Sequence, residues 1–461
     1  MIKKSYSTSI FGDVRLETRF VQMLSIFSGC IKQSIPISHQ VWSAVKGTYR
    51  FFDNQVVTPC VLIAYHLSKI KAVWAAEGCP KRILQLCDYT EMDYSRKRVK
   101  AEAGPLSHPY QRGFHLYNSM MLNALGCPVG LLHQSYHVRS SQTYGTSREQ
   151  SQKRPLEQKE TYNWVTHFLA GQKLVEENEH LETVFIADRE ADFMELFHYR
   201  TNPRAHFLIR SRYNRKLSDG KNNMIPTIRS WSVQGTYQVQ IMDRKTRKLR
   251  TAVLAVRFGT LDVQLAKPNP MRKNLPMMPF FVVDVHEVTA GVEKNEAIHW
   301  RLMTTLPVHS FEDARTVIQY YIWRWMIERF HFLLKSGGAN VEKLQLQTLH
   351  RLKNAVTTFS IAAMDAFKLR YLAENSPDEP IYEVGISETE HLVLFNYLNK
   401  RLNMDVHFDP QNPPNIKQYC IYLGRIGGFF PSKKQPIPGL VILTRAREKL
   451  DILIDAYLTF Q

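Results

Sequence analysis

Cysteine is scarce. Six occur among 461 residues, at positions 30, 60, 79, 87, 127 and 420. None forms a CxxC pair, and no Cys/His group has zinc-ligand spacing, which argues against a zinc site. Their scatter offers no disulfide framework and fits a reducing cytosol. No apolar run is long enough for a membrane span. The opening segment, MIKKSYSTSIFGDVRL, lacks the apolar block of a secretory signal. No internal repeat or low-complexity tract is present. Acidic residues are also short: 42 against 60 Lys and Arg, a formal charge of +18. These deficits lead us to expect a soluble, intracellular protein.

The cationic excess speaks about partners rather than fold. DNA or RNA heads the polyanions it would attract, with an inert basic surface as the alternative. The length suggests two to four domains, and an apolar fraction of 44% is enough for packed cores.

Residues 1 to about 75 read as helices, with apolar spacing through Val21, Leu24, Ile26 and Phe27 and a second stretch through Val41, Val45 and Tyr49. Lys46 and Arg50 lie beside the latter, so this module suits either DNA docking or plain helical packing. Strand-like runs follow at 82–88 (RILQLCD), 114–124, 128–136, 183–188 (TVFIAD) and 206–210. Helical patterns cover 156–178, READFMELFHY after Asp188, 312–335 and 349–374. Between about 230 and 305 the runs TYQVQI, TAVLAVRF, DVQLA, PFFVVDV and HWRLMTT read as a β-rich insertion. In the last helix Leu443, Ala446, Leu450, Leu453 and Tyr457 follow three–four spacing, a core stripe or an interface.

Two separate strands end in aspartate, Asp88 and Asp188. A strand end fixes a functional group while leaving it accessible, although a lone aspartate there is commonly only a cap. On the 312–335 helix Tyr321, Arg324, Glu328 and Lys335 share one stripe about 60° wide. A structural stripe would be apolar, so a site explains this one better than a solvated charged face. Three carboxylates without histidine or thiolate favour a hard cation, Mg²⁺ with Mn²⁺ as substitute. Two such ions about 4 Å apart serve phosphodiester displacement. Arg324 and Lys335 would lie beside the phosphates.

At these residues the chain resembles the DDE transposases, cut-and-paste enzymes of bacterial insertion sequences with an RNase H-like catalytic domain. The spacing Y-x2-R-x3-E-x6-K stands as Tyr321, Arg324, Glu328 and Lys335; the second aspartate opens DREAD (188–192) and the first lies in LCDYTEMDY. FGDVRLETRF, KGTYRFF, VGLLHQ, FLIRS, HWRLMTTLPV and GRIGGFF extend the likeness over nearly the whole chain, most closely to transposases of kanamycin-resistance composite elements. The resemblance implies an α/β fold, an RNase H-like core interrupted by the β-rich insertion, with helical N- and C-terminal domains. It places a helical DNA-binding domain at 1–75, a catalytic domain at 76–375 with its insertion at about 215–300, and a mainly helical dimerisation domain at 376–461. It implies that Asp88, Asp188 and Glu328 bind the metal and catalyse. Arg210, Tyr321, Arg324 and Lys335 would grip transposon-end phosphates, and Trp300 would sit beside a flipped base, in place of ordinary strand packing. It further implies Mg²⁺-dependent nicking and strand transfer on double-stranded DNA, a hairpin intermediate, a homodimer in the synaptic complex and a bacterial cytoplasmic location, nucleoid-associated when on DNA.

Some positions depart from the pattern. Glu91 and Asp93 are rival carboxylates beside Asp88. The segment SGGANVEKLQLQ after Lys335 is one residue longer than in the relatives. The run RKTRKLR at 244–250 would meet DNA backbone or form a solvated hairpin tip.

Overall fold

A computed structural model describes residues 9–29, 31–32, 34–39, 41–108, 110–141, 145, 154–243, 249–264, 278–293 and 297–460. Along the chain come helices α1 (Val14–Gly29), α2 (Ile35–His39), α3 (Trp42–Asp53) and α4 (Pro59–Glu77). Strands β1 (Arg82–Asp93), β2 (Gly104–Pro105), β3 (Arg112–Asn123) and β4 (Pro128–His137) follow. Next are α5 (Tyr162–Glu176), β5 (Glu182–Ala187), α6 (Met194–Phe197), β6 (Ala205–Arg210) and α7 (Met224–Ser230). Then β7 (Gly235–Met242), β8 (Leu249–Val263), β9 (Met278–Glu287) and β10 (His299–Thr304) precede α8 (Phe311–Trp323) and α9 (Trp325–Lys335). The chain ends with α10 (Leu349–Asn375), α11 (Glu388–Leu402), α12 (Ile416–Ile426) and α13 (Leu440–Thr459). Among the described residues no helix is long and apolar enough to cross a membrane.

The chain gathers into two compact units, each from separated stretches. The first holds Met1–Gly78, Tyr89–Ser147 and Glu328–Gln461; the second holds Cys79–Asp88 and Arg148–Ile327.

The first unit is built on α10. Its apolar and small residues are buried along most of its length. Phe27 of α1 stacks on Phe359 with ring centroids 4.5 Å apart, and Asn354 donates to the carbonyls of Phe52 and Val57 at 3.0 and 2.8 Å. These bonds satisfy the end of α3 and tie the N-terminal helices to α10. α4 starts at Thr58, whose side chain caps Val61 N–H, with Pro59 at the first helical position. β3 and β4 pair antiparallel. The α13 stripe is a core stripe: Leu443, Ala446 and Leu450 are at most 1% exposed, and Leu453 and Tyr457 pack on the same cluster of α11 and α12 side chains.

The second unit is a sheet in the order β1-β5-β6-β10-β9-β8-β7. β1, β5 and β6 are parallel; β6 to β7 through β10 is antiparallel. The TVFIA run of β5 is buried throughout, as a parallel strand covered on both faces must be. α5 covers one face, Phe168 stacking on Phe207 at 4.1 Å. The strands of the 230–305 region extend this sheet, joined to it through β10.

Four local expectations change. β1 continues past Asp88 to Asp93, because Tyr89 and Thr90 are good strand formers and Tyr89 stacks on Tyr117 at 4.9 Å. TAVLAVRF and DV form one strand: Gly259 does not break it, and a Cβ there would lie 2.9 Å from the Trp231 ring. READFMELFHY is not one helix, because Asp192 turns away to bond Arg212 N–H and Phe193 is extended. The 312–335 helix is divided at Arg324, whose N–H bonds Tyr321 O at 3.1 Å in one tighter turn. Its start is a capping box between Ser310 and Asp313.

Candidate functional site

Strand registry brings the second unit's charged residues into a row. β1 and β5 align Leu86 with Ile186, and β5 and β6 align Ala187 with Ile209. Two residues beyond the first pair stand Asp88 and Asp188; one beyond the second stand Asp188 and Arg210. Asp188 keeps extended backbone, φ −86° and ψ −162°. Continuing the registry sets Asp88, Asp188 and Arg210 level at neighbouring strand ends; Asp188 lies one residue past β5, and its Oδ1 accepts from Glu190 N at 2.9 Å. β10 sets Leu302 opposite Arg210, and Trp300, two residues earlier, points to the same face as Leu302.

α8 supplies the other wall. Tyr321 is 5% exposed, and its ring lies 5.5 Å from that of Trp300 at 63°. Arg210 acts electrostatically on the Tyr321 hydroxyl, and the Arg324 guanidinium sits 5.8 Å from the ring centre. Arg324 Nη1 also donates to Asp88 Oδ2 at 3.3 Å. Burial pushes the Tyr321 hydroxyl above its ordinary pKa, opposed by Arg324 and Arg210, so it is a neutral donor and acceptor at pH 7. Burial lowers Arg210, whose nearest anionic neighbours include Asp188. Arg210 Nη2 is further held by His299 O at 2.8 Å. Two carboxylates, two guanidinium groups, a phenol and an indole thus meet in one place. That set can hold a hard cation on its oxygens and phosphate oxygens on its arginines.

Glu328 and Lys335 belong to the first unit, on α9. Lys335 Nζ donates to Glu91 O at 2.8 Å and lies 3.4 Å from Glu342. The rival carboxylates are engaged within that unit. Glu91 accepts from Ser107 N at 2.8 Å and pairs with His115 at 3.2 Å; Asp93 accepts from Ser95 N at 2.8 Å and from Gln111 at 3.2 Å. Among the described residues, no group of three or more His, Cys, Asp and Glu side chains is gathered to hold a metal ion. The adjacent pair Asp88 and Asp188 offers two hard oxygen donors, which fits part of a Mg²⁺ shell; water and phosphate ordinarily supply the rest.

In the first unit, α3 presents a cationic, aromatic face. Trp42 is 64% exposed with Lys46 Nζ 5.4 Å from its ring, and Arg50 is exposed further along. In the basic run 244–250, residues 244–248 lie outside the described residues; Arg250 pairs with Glu287 and lies 3.4 Å from Asp243. Our sequence reading passed over Arg215 and used only the first aspartate of DREAD, yet Asp192 and Arg215 form a buried ion pair beside the site. A second buried network also escaped it: His331 and Asn118 are 3.0 Å apart, and Gln134 donates to Asn118 at 2.7 Å.

Residues 2–57 match the family model described as transposase DNA-binding. Among solved structures, the chain is similar to piggyBac transposase in a synaptic complex with hairpin DNA, seen by cryo-EM. The identity is 11%, the TM-score 0.32, and the likeness covers 78% of this chain and 59% of that one. The present chain thus spans less than two thirds of the length of that relative. The family match is confined to the N-terminal stretch that carries α1 to α3.

Proposed function

We propose that the chain is a cut-and-paste DNA transposase of the DDE type that cleaves transposon ends and joins them to target DNA. On this reading β1, β5 and β6 belong to an RNase H-like core, and β7 to β10 are its insertion. Asp88, Asp188 and Glu328 would hold Mg²⁺, probed with Mn²⁺ where a signal is needed, two ions per site. Bound there, the metal supplies a more acidic water and offsets charge on the phosphoryl oxygens.

The chain's own residues do the rest. Arg210 and Arg324 place their forks on the phosphate beside the scissile bond, and Lys335 adds a point charge. Tyr321 donates its neutral hydroxyl to a phosphate oxygen and keeps Trp300 in place. Trp300 offers a face on which an extruded base stacks, relieving the sharp bend of a hairpin end. Water displaces the 3′-oxygen at the transposon end, forming a P–O bond and breaking the original one. The freed 3′-hydroxyl then attacks the opposite strand, a second water reopens the hairpin, and the hydroxyl finally attacks target DNA. Each step is an in-line displacement at phosphorus, so one site serves all. The +18 charge carries the DNA backbone. A synaptic homodimer would bring two ends together, and the exposed Ile452, Leu458 and Phe460 on or next to α13 offer it an apolar edge.

The observation that carries this reading is the lateral row Asp88–Asp188–Arg210, walled by Tyr321, Arg324 and Trp300. The test is the purified full chain with Mg²⁺ and a supercoiled plasmid bearing the inverted repeats that flank its coding region. We expect excision and strand-transfer products from the parent and none from Glu328→Ala or Asp88→Ala. Excision that survives Glu328→Ala rules the assignment out. Nicking without strand transfer would instead mark a simple nuclease.

A further inference from the structure

We propose that Asp192 and Arg215 are positioning residues that set the separation of Asp188 from Arg210. The proposal rests on the transposase reading above. Asp192 is 2% exposed and Arg215 8%. Arg215 Nη2 lies 2.6 Å from Asp192 Oδ1 and bonds Asp192 O at 3.1 Å, while Nη1 bonds Oδ2 at 3.0 Å. The same Oδ2 accepts from Arg212 N at 2.5 Å and Ser211 Oγ at 3.3 Å. Arg215 Nη1 also reaches Ser211 Oγ at 3.4 Å and Met303 Sδ of β10 at 3.8 Å. Ser211 N is bonded to Arg301 O at 2.6 Å.

Three pieces of backbone are therefore clipped together: the turn after β5, the segment leaving β6, and β10. Each carries a member of the site within a few residues of the clip. Asp188 begins the turn that ends in Asp192, Arg210 is followed directly by Ser211 and Arg212, and Trp300 precedes Arg301. Little slack separates the clip from these residues, and the Arg215 fork constrains direction as well as distance. A buried ion pair adds little net stability over an apolar pair of similar volume. Its directional bonds are what an apolar pair would not reproduce.

That difference supplies the test. In the full chain, Asp192→Leu combined with Arg215→Met replaces the pair by apolar side chains. We expect a melting temperature at or near that of the parent, unchanged affinity for the end duplex, an unchanged KM, and a kcat for nicking lower by ~100-fold. Arg215→Lys keeps the charge without the fork and should lose kcat to an intermediate degree while staying folded. Parental nicking by the paired variant overturns the proposal, as does parental nicking by Arg215→Lys if the paired variant does not fold. Asp188→Ala, run in parallel, separates the two levels. If it is inactive while the paired variant is fully active, only the positioning role falls. If the parent does not nick, or Asp188→Ala nicks equally well, the transposase reading falls and takes the positioning role with it.

Discussion

Replacing Arg324 by glutamine probes the charge balance of the site without touching a carboxylate. Arg324 Nη1 stands 3.3 Å from Asp88 Oδ2, and the two side chains are 13% and 18% exposed. At an effective dielectric of about 20 their attraction is roughly 5 kcal/mol before desolvation. Desolvation and side-chain ordering reduce the net loss on removing the guanidinium to about 2 kcal/mol, between exposed and fully buried pairs. Asp188, one residue past the end of the neighbouring strand, adds a second anion near the site and sharpens the loss. For a unit of this size ~2 kcal/mol lowers the melting temperature by ~4–8 °C. A divalent cation would take over the guanidinium's role, and at a hundred times its Kd would restore about 2.7 kcal/mol. Thermal unfolding in EDTA and in Mn²⁺ should therefore show Arg324→Gln melting below the parent without cation and closing the gap with it. Asp88→Asn should gain little from Mn²⁺. Equal melting of variant and parent in EDTA, or an identical Mn²⁺ shift in both, refutes the reasoning.

Burial holds His66 and His133 down to about 4, and His66 Nε2 accepts Leu131 N–H at 3.1 Å, which requires the neutral ring. Because the folded pKa lies below the ordinary 6.5, this stability is complete above pH 6.5 and is lost as pH falls towards 4, by about 2 kcal/mol per histidine at pH 5. Urea titrations at pH 7 and 5 should show a shallower loss in His66→Gln; an unchanged slope counts against it. Leu450→Ala should cost about 2–5 kcal/mol in thermal or denaturant melts, because Leu450 is 0% exposed in the first unit's core. A small cost with loss of dimerisation would mean that the α13 stripe is an interface after all. Trp300→Ala should slow release of flanking DNA on the order of 10- to 100-fold while sparing the first nick. Gel analysis of plasmid substrates separates the steps, and an equal loss in both contradicts the base-stacking role.

Periodicity carried much of the local structure. Runs such as RILQLCD, TVFIAD and HFLIR announced strands because buried parallel strands must be continuously apolar. The Tyr321, Arg324, Glu328 and Lys335 spacing marked a polar helix face because side-chain directions on a helix follow from geometry alone. Where one side chain overrides a local pattern, the sequence misled: Asp192 breaks the READFMELFHY helix by choosing Arg212 N–H and Arg215. TAVLAVRF and DVQLA likewise read as separate runs, but Gly259 between them is strand interior, left without a Cβ for Trp231.

What the sequence alone determined were the cationic balance, the residue types of the site and the segments that carry them, since composition and periodicity are local quantities. Tertiary structure decided that Asp88, Asp188 and Arg210 share one row and that Tyr321 lies against Trp300. It also decided that the last helix spends its apolar stripe inside the chain. Strand order, registry and the partner of a buried charge depend on packing between segments a hundred residues apart, and no pattern within any one segment contains that information.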